Sequence, residues 1–200
     1  RPPRLRLHVR DRPAGFVDLA IGLFRTYPRR SVFGLTLMAA QAFFYNAIFF
    51  TYALVLGRFH GVAAEDVGLY LLPFSATNFI GPLVLGGLFD RWGRRPMLTL
   101  TYVASGVLLG LTALAFVAGW LTAATQTAAL AVVFFFASPA ASAAYLVVSE
   151  SFPLEIRALT IAAFYAAGTA IGGVAAPWLF GALVASGQPG AVAAGYAFGA

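Results

Sequence analysis

Cysteine is absent from the 200-residue chain, which excludes disulfides and thiolate metal sites. Charge is almost as scarce: 10% of residues are charged, 60% hydrophobic and 15% aromatic. A water-soluble domain carries about 25% charged residues, so too few are present here to coat a surface facing water. The chain is therefore expected in a bilayer. No Walker A pattern occurs, which removes support for ATP-driven pumping. Metal-ligand and nucleophile–base constellations are absent too, so no metal, no cofactor and no enzymatic activity are expected. The Pro/Arg-rich opening lacks the apolar h-region of a secretory signal. The chain starts at Arg1 rather than methionine and stops at Ala200, ten residues into a fresh apolar run. It reads as a fragment cut at both ends.

The charge that is present is concentrated. Arg1, Arg4, Arg6, Arg10, Arg12, Arg25, Arg29 and Arg30 precede Ser31, against Asp11 and Asp18 alone, and eight minus two is the whole net charge of +6. Beyond Ser31 the balance is zero. A basic segment over 1–30 beside a neutral apolar body fits the anionic cytoplasmic face of a membrane. Nucleic acid is not an expected partner, because no basic stripe lies on a soluble domain. Within this segment Gly15–Tyr27 reads as a short amphipathic helix lying at the interface, with Phe16, Leu19, Leu23 and Tyr27 toward one side; a disordered basic linker is the alternative.

Apolar runs near 31–57, 67–89, 97–118, 127–149 and 158–185 each reach the roughly 20 residues needed to cross the hydrocarbon core, and a truncated span begins at 191. The runs are apolar on every face, which disfavours closed barrels with alternating residues. The expected fold is all-α, a polytopic membrane helical bundle occupying 31–200. Connections on alternate sides carry six arginines against one. This puts the basic segment and the loops 90–96 and 150–157 in the cytoplasm of an inner or plasma membrane.

Two of those loops carry motifs. The first reads Gly86-Gly87-Leu88-Phe89-Asp90-Arg91-Trp92-Gly93-Arg94-Arg95. It resembles the G-x-x-x-D-R-x-G-R-R motif of the major facilitator superfamily at every defining position. The second, Glu150-Ser151-Phe152-Pro153-Leu154-Glu155-Ile156-Arg157, resembles the E-x-F-P-x-x-x-R segment after the tenth helix of sugar porters and organic-acid:proton symporters. The order and spacing of the two motifs imply the C-terminal half of such a fold: helices 7 to 11 and the start of 12. Apart from the resemblance, Gly86 would admit a neighbouring helix and Gly93 a turn with positive φ. Asp90 would stabilise a helix N-terminus and pair with Arg157, and Glu150 would meet Arg91 or Arg94. The resemblance implies a cytoplasmic gate built from Gly86, Asp90, Arg91, Gly93, Arg94, Arg95, Glu150 and Arg157. Topology signalling alone would account for part of the arginine count, but it does not require Asp90, Gly93 or Glu150.

Candidate ligand residues are the polar ones inside the spans. Gln41-Ala42-Phe43-Phe44-Tyr45-Asn46 is similar to the Q-x-x-G-x-N segment by which sugar porters hold substrate, with Phe44 in place of its glycine. Asn78 stands twelve residues before Asp90, where sugar porters also carry a ligand asparagine. Ser138, Ser142, Tyr145 and Ser149 share one helical face, although membrane serines also serve as glue between helices. The sugar-porter G-P-x-P-W segment is replaced near 141–145 by Ala-Ser-Ala-Ala-Tyr. Gln41, Tyr45, Asn46, Asn78, Ser142 and Tyr145 form the expected solute site, with Gln41, Asn46 and Asn78 facing a central cavity. Gly168 and Gly172 are expected to mark tight packing, Pro177 a hinge, and Phe43, Phe49 and Phe134–Phe136 packing or lipid contact.

The resulting expectation is a secondary carrier working by alternating access on a small polar solute, either a sugar or polyol or a small organic acid. Protons would be coupled through an acid in the other half. A receptor or scaffold with a transporter fold is an alternative, and a membrane-embedded hydrolase a weaker one, since His8 and His60 both fall outside the spans.

Overall fold

The computed structural model describes residues 16–199, with the side chains of 16–20 and Glu155 outside the description. The arginines of 1–15 and the contributions of Phe16 and Leu19 to the amphipathic face therefore lie outside the described residues. The described elements are helical. They comprise α1 (Phe16–Thr26), α2 (Pro28–Tyr45), α3 (Tyr52–His60), α4 (Val67–Trp92), α5 (Arg94–Val117), α6 (Ala123–Glu150), α7 (Leu154–Gly168), α8 (Val174–Ala185) and α9 (Pro189–Gly199). A π-helical turn, Asn46–Phe50, joins α2 to α3, and a second, Thr169–Gly173, joins α7 to α8. Five continuous rods are thus long and apolar enough to cross a bilayer. Even α5, at 24 residues, extends about 36 Å against a hydrocarbon core of about 30 Å.

Local chemistry sets where the rods start and stop. Pro28 opens α2, where its missing N–H costs nothing. Thr122 and Thr125 exchange side-chain and backbone hydrogen bonds at the head of α6, in a capping box. Gly93 takes φ +90° between α4 and α5, a conformation in which any side chain would clash; this produces the turn expected inside the first motif.

α6 is the central helix. It packs against α4 and α5 along most of its length, and Leu130, Val133, Phe134, Ala140, Ala144 and Val148 on it are fully buried. Around it Tyr52, Leu56, Phe74, Leu109, Phe180 and Tyr196 complete one apolar core. Large apolar side chains on the outer faces point away from the bundle, including Phe79 at 69% exposure and Leu114 at 69%. Such an exterior suits lipid rather than water. α1 lays Leu23 against Met38, Val148, Phe152 and Phe164, so it is docked on the bundle.

Two interlocks hold the rods in register. Pro82 lacks the N–H that would bond the Asn78 carbonyl within α4, and Ser138 Oγ on α6 donates to that carbonyl instead, at 2.7 Å. Pro139 likewise frees the Phe135 carbonyl of α6, which rests against Gly81 of α4 so closely that a Cβ there would collide with it. The second interlock joins α2 to the π turn after α7. A Cβ at Gly168 would lie 2.9 Å from Met38 Cβ, and one at Gly172 would strike the backbone of Ala39 and Phe43. Gly168 and Gly172 thus mark the tight packing expected of them.

Candidate functional site

Gln41, Tyr45, Asn46 and Asn78 lie near the middle of their spans, whereas Ser142, Tyr145 and Ser149 lie toward the motif-bearing end of α6. Tyr45 of α2 donates its hydroxyl to Asn78 Oδ1 of α4 at 3.1 Å, while Ser138 holds the carbonyl of the same asparagine. Beside them Gln41, Tyr45, Tyr102 and Ser105 surround a cavity of about 10 Å³, closed by Phe44, Ala137 and Ala141. Gln41 Oε1 and Tyr102 Oη are buried there without a protein partner. Leaving such an atom unpaired costs about 1–3 kcal/mol, and the space is close to the size of one water molecule. This cluster is uncharged and draws on α2, α4, α5 and α6.

Asn46 is placed differently. Its Nδ2 donates to the Ala42 carbonyl one turn back, at 2.6 Å, and the amide lies beside Gly173 of the second π turn. Thr51, at the far end of the first π turn, bonds the Ala47 carbonyl in the same manner. Both side chains bind carbonyls of their own helix, and such bonds compete with the regular ladder. Ser142 is exposed and lines a groove of about 280 Å³ with Pro82, Gly86, Phe89, Asp90 and Arg94. Tyr145 stacks near Tyr165, ring centroids 6.0 Å apart, and Ser149 bonds the Leu146 carbonyl. Ser138, Ser142, Tyr145 and Ser149 therefore do not act as one stripe: the first joins two helices and the last is satisfied within α6. Among Phe43, Phe49 and Phe134–Phe136, Phe134 is fully buried in a ring of Phe44, Tyr45, Phe49 and Phe74.

At the end of the bundle carrying the two motifs, Arg94 and Glu150 form an ion pair, with side chains 34% and 52% exposed. It ties the start of α5 to the end of α6. Among the described residues it is the one ion pair. Asp90 is exposed and makes no ion pair with Arg157, whose Nε is buried without a hydrogen-bond partner. Gly86 differs from its expected role too. A Cβ there would meet nothing within 4 Å, because Gly86 borders the groove rather than a packed helix; the close approach between α4 and α6 falls at Gly81, five residues earlier. Arg91 and Arg95 are exposed. Phe152 and Pro153 anchor the second motif: Phe152 is buried edge-on between Tyr27 and Phe164, and Pro153 caps α7.

A third polar group lies at the opposite end and was not singled out from the sequence. His60 Nε2 lies 2.6 Å from Gln126 Oε1, and Tyr52 Oη lies 2.8 Å from Thr127 Oγ1. Both pairs join α3 to α6 across more than sixty residues of chain, a separation over which local patterning carries no signal. Gln126 is fully buried and its Nε2 has no partner.

Long apolar rods with lipid-facing exteriors and uncharged polar groups at mid-depth define an integral membrane protein of the solute-carrier class. The family model described as "Sugar (and other) transporter" matches residues 15–198. The chain belongs to this sugar transporter family of the major facilitator superfamily, and its role is that of a membrane solute transporter. No curated protein and no solved structure matches the chain.

Proposed function

We propose that the chain forms the C-terminal half of a proton-coupled carrier that moves a small, neutral, polar solute, a sugar or polyol, by alternating access. The motif-bearing end faces the cytoplasm of the cell membrane. The observation that carries this reading is the uncharged mid-depth cluster of Gln41, Tyr45, Asn78, Tyr102 and Ser138, with two polar atoms lacking protein partners. A neutral polyhydroxyl solute presents donors and acceptors and carries no charge to be balanced in a low-dielectric site. Gln41, Tyr45 and Asn78 orient the solute, with Asn46, Ser142 and Tyr145 along its path. Because the cluster closes on about 10 Å³, its helices must part for a solute to reach it. Four of the five spans are irregular near their middles, at the two π turns and at Pro82 and Pro139, where bending costs least. Interrupted helices at the membrane midplane are the usual substrate positions of secondary carriers. The proton-carrying acid belongs to an opposing bundle, and Arg94–Glu150 with Asp90 and Arg157 governs the cytoplasmic gate.

The test is uptake by the intact carrier, with both halves present, in proteoliposomes, offered a panel of radiolabelled sugars, polyols and organic acids with and without an imposed proton gradient. Saturable uptake of a neutral solute, stimulated by the gradient and reduced at least tenfold by Asn78→Ala, is expected. Uptake confined to organic acids, or equal uptake by wild type and variant, would refute the assignment of substrate or site respectively.

A further inference from the structure

The same end of the bundle holds a second cavity, separate from the solute cluster. It has a volume of about 860 Å³, and Arg29, Arg30, Arg94, Arg95 and Glu150 line it together with Thr99 and Ser151. Four guanidinium groups face one carboxylate, which leaves a charge of +3 after Glu150 has paired with Arg94. Arg30 is fixed by a 3.0 Å bond to the Ser151 carbonyl and by stacking over Tyr27. Arg29 and Arg95 are exposed and have no ion-pair partner among the described residues.

The arginines also stand at the wrong ends of their helices. Arg29 and Arg30 occupy the first turn of α2, and Arg94 and Arg95 the first turn of α5, with no acidic residue in either turn. The positive pole of a helix repels cations, so two positive poles and four cations converge on one space. Phe33, Leu98 and Val147 supply its apolar wall. Beyond them Val32, Leu100 and Val103 present apolar side chains outward, each more than half exposed.

We propose that this cavity binds a phosphate group, and that the phosphate is carried by an anionic phospholipid. The three unneutralised guanidiniums hold the headgroup, and the acyl chains run down the outward apolar strip on α2 and α5. Arginine forks match phosphate oxygens bidentately, and basic clusters at the membrane surface select anionic headgroups. The assignment shares Arg94 and Glu150 with the proposed gate. It is read by binding, however, so a failure of transport leaves it standing.

The protein, purified in mild detergent, is titrated with phosphatidylglycerol, with phosphatidylcholine of the same acyl length, and with inorganic phosphate and glycerol phosphate. Native mass spectrometry reads occupancy and thermal unfolding reads protection. Phosphatidylglycerol is expected to bind at least tenfold more tightly than phosphatidylcholine. Each arginine removed costs about fivefold, so Arg29→Gln with Arg95→Gln should lower the affinity about 25-fold. Arg58→Gln, at the opposite end, should change nothing. Arg29→Gln alone serves if the double variant fails to fold. Inorganic phosphate and glycerol phosphate protecting as well as the lipid would keep the phosphate site and overturn the lipid as its source. Equal affinity for the two lipids, with no protection by phosphate, or a lipid preference that survives loss of the arginines, would overturn the site.

Discussion

Pro82 withdraws the N–H that would hold the Asn78 carbonyl, and Ser138 supplies the replacement from another helix. Ser138→Ala should therefore destabilise the bundle by about 0.6–1.7 kcal/mol, the range for hydrogen bonds between membrane helices. The mechanism has a sharper consequence. In a Pro82→Ala background the ladder of α4 closes on its own, and the cost of Ser138→Ala should fall toward zero. A double-mutant cycle read by denaturant unfolding in detergent checks this; strictly additive costs would mean that Ser138 acts by packing alone. At the motif end, Arg94–Glu150 is a half-exposed pair, so Glu150→Gln should cost less than about 1 kcal/mol of stability. Its expected effect is on the proposed gate. With Asp90→Asn, it should raise accessibility to thiol reagents of a cysteine introduced at the motif-bearing mouth and lower that at the opposite mouth. Unchanged labelling at both would remove these residues from gating. The charge-reversed pair Arg94→Glu with Glu150→Arg should restore the wild-type pattern.

Helices here touch where side chains are missing. Gly172 brings the second π turn against the α2 backbone at Ala39 and Phe43, and Gly81 brings α4 against the Phe135 carbonyl. A leucine at Gly172 has no flexible neighbour to displace, only backbone, so the cost should exceed the roughly 1–3 kcal/mol of ordinary overpacking. Gly172→Leu is expected to lose the monodisperse peak in size-exclusion chromatography, whereas Gly86→Ala, beside an open groove, should keep it. The same contrast shows what the sequence could say about these elements. Gly168 and Gly172 stand four apart and were legible as a packing face. Gly81 has no such partner in its spacing and matters because Pro139 of another helix frees the carbonyl it meets. The two π turns were likewise not legible: the first goes with Asn46 and Thr51 bonding backward to carbonyls of their own helix, and the second with the close approach of Gly172 to the α2 backbone.

For the molecule as a whole, the five spans and the start of a sixth helix were legible from apolar run length, with ends displaced by a few residues where Pro28 and Thr122 start helices early. Arginine-bearing ends lengthened the rods beyond the apolar runs, as at His60 and Trp92. The family was legible as well, because the two motifs combine turn-forming glycine and proline with charges at fixed offsets from span ends. Of the polar cluster, Gln41, Tyr45 and Asn78 were singled out from the sequence and Tyr102 and Ser105 were not, while Asn46 and Ser142 lie apart from it. The hydrogen-bond partners, and the division between a closed polar cluster and an open groove, were not legible.

The sequence by itself determined that the chain enters a membrane, that five helices among the described residues are long and apolar enough to cross it, and to which family it belongs. These properties follow from composition, run length and local motifs, all of them short-range. Tertiary structure alone decided that Asn78 meets Tyr45 and Ser138, that Asn46 turns back on its own helix, and that Glu150 takes Arg94 while Asp90 and Arg157 stay apart. A polar side chain at membrane depth must find a partner among neighbours brought by packing. The identity of that neighbour depends on which small residues and prolines let two backbones approach, and that is settled only when the helices assemble.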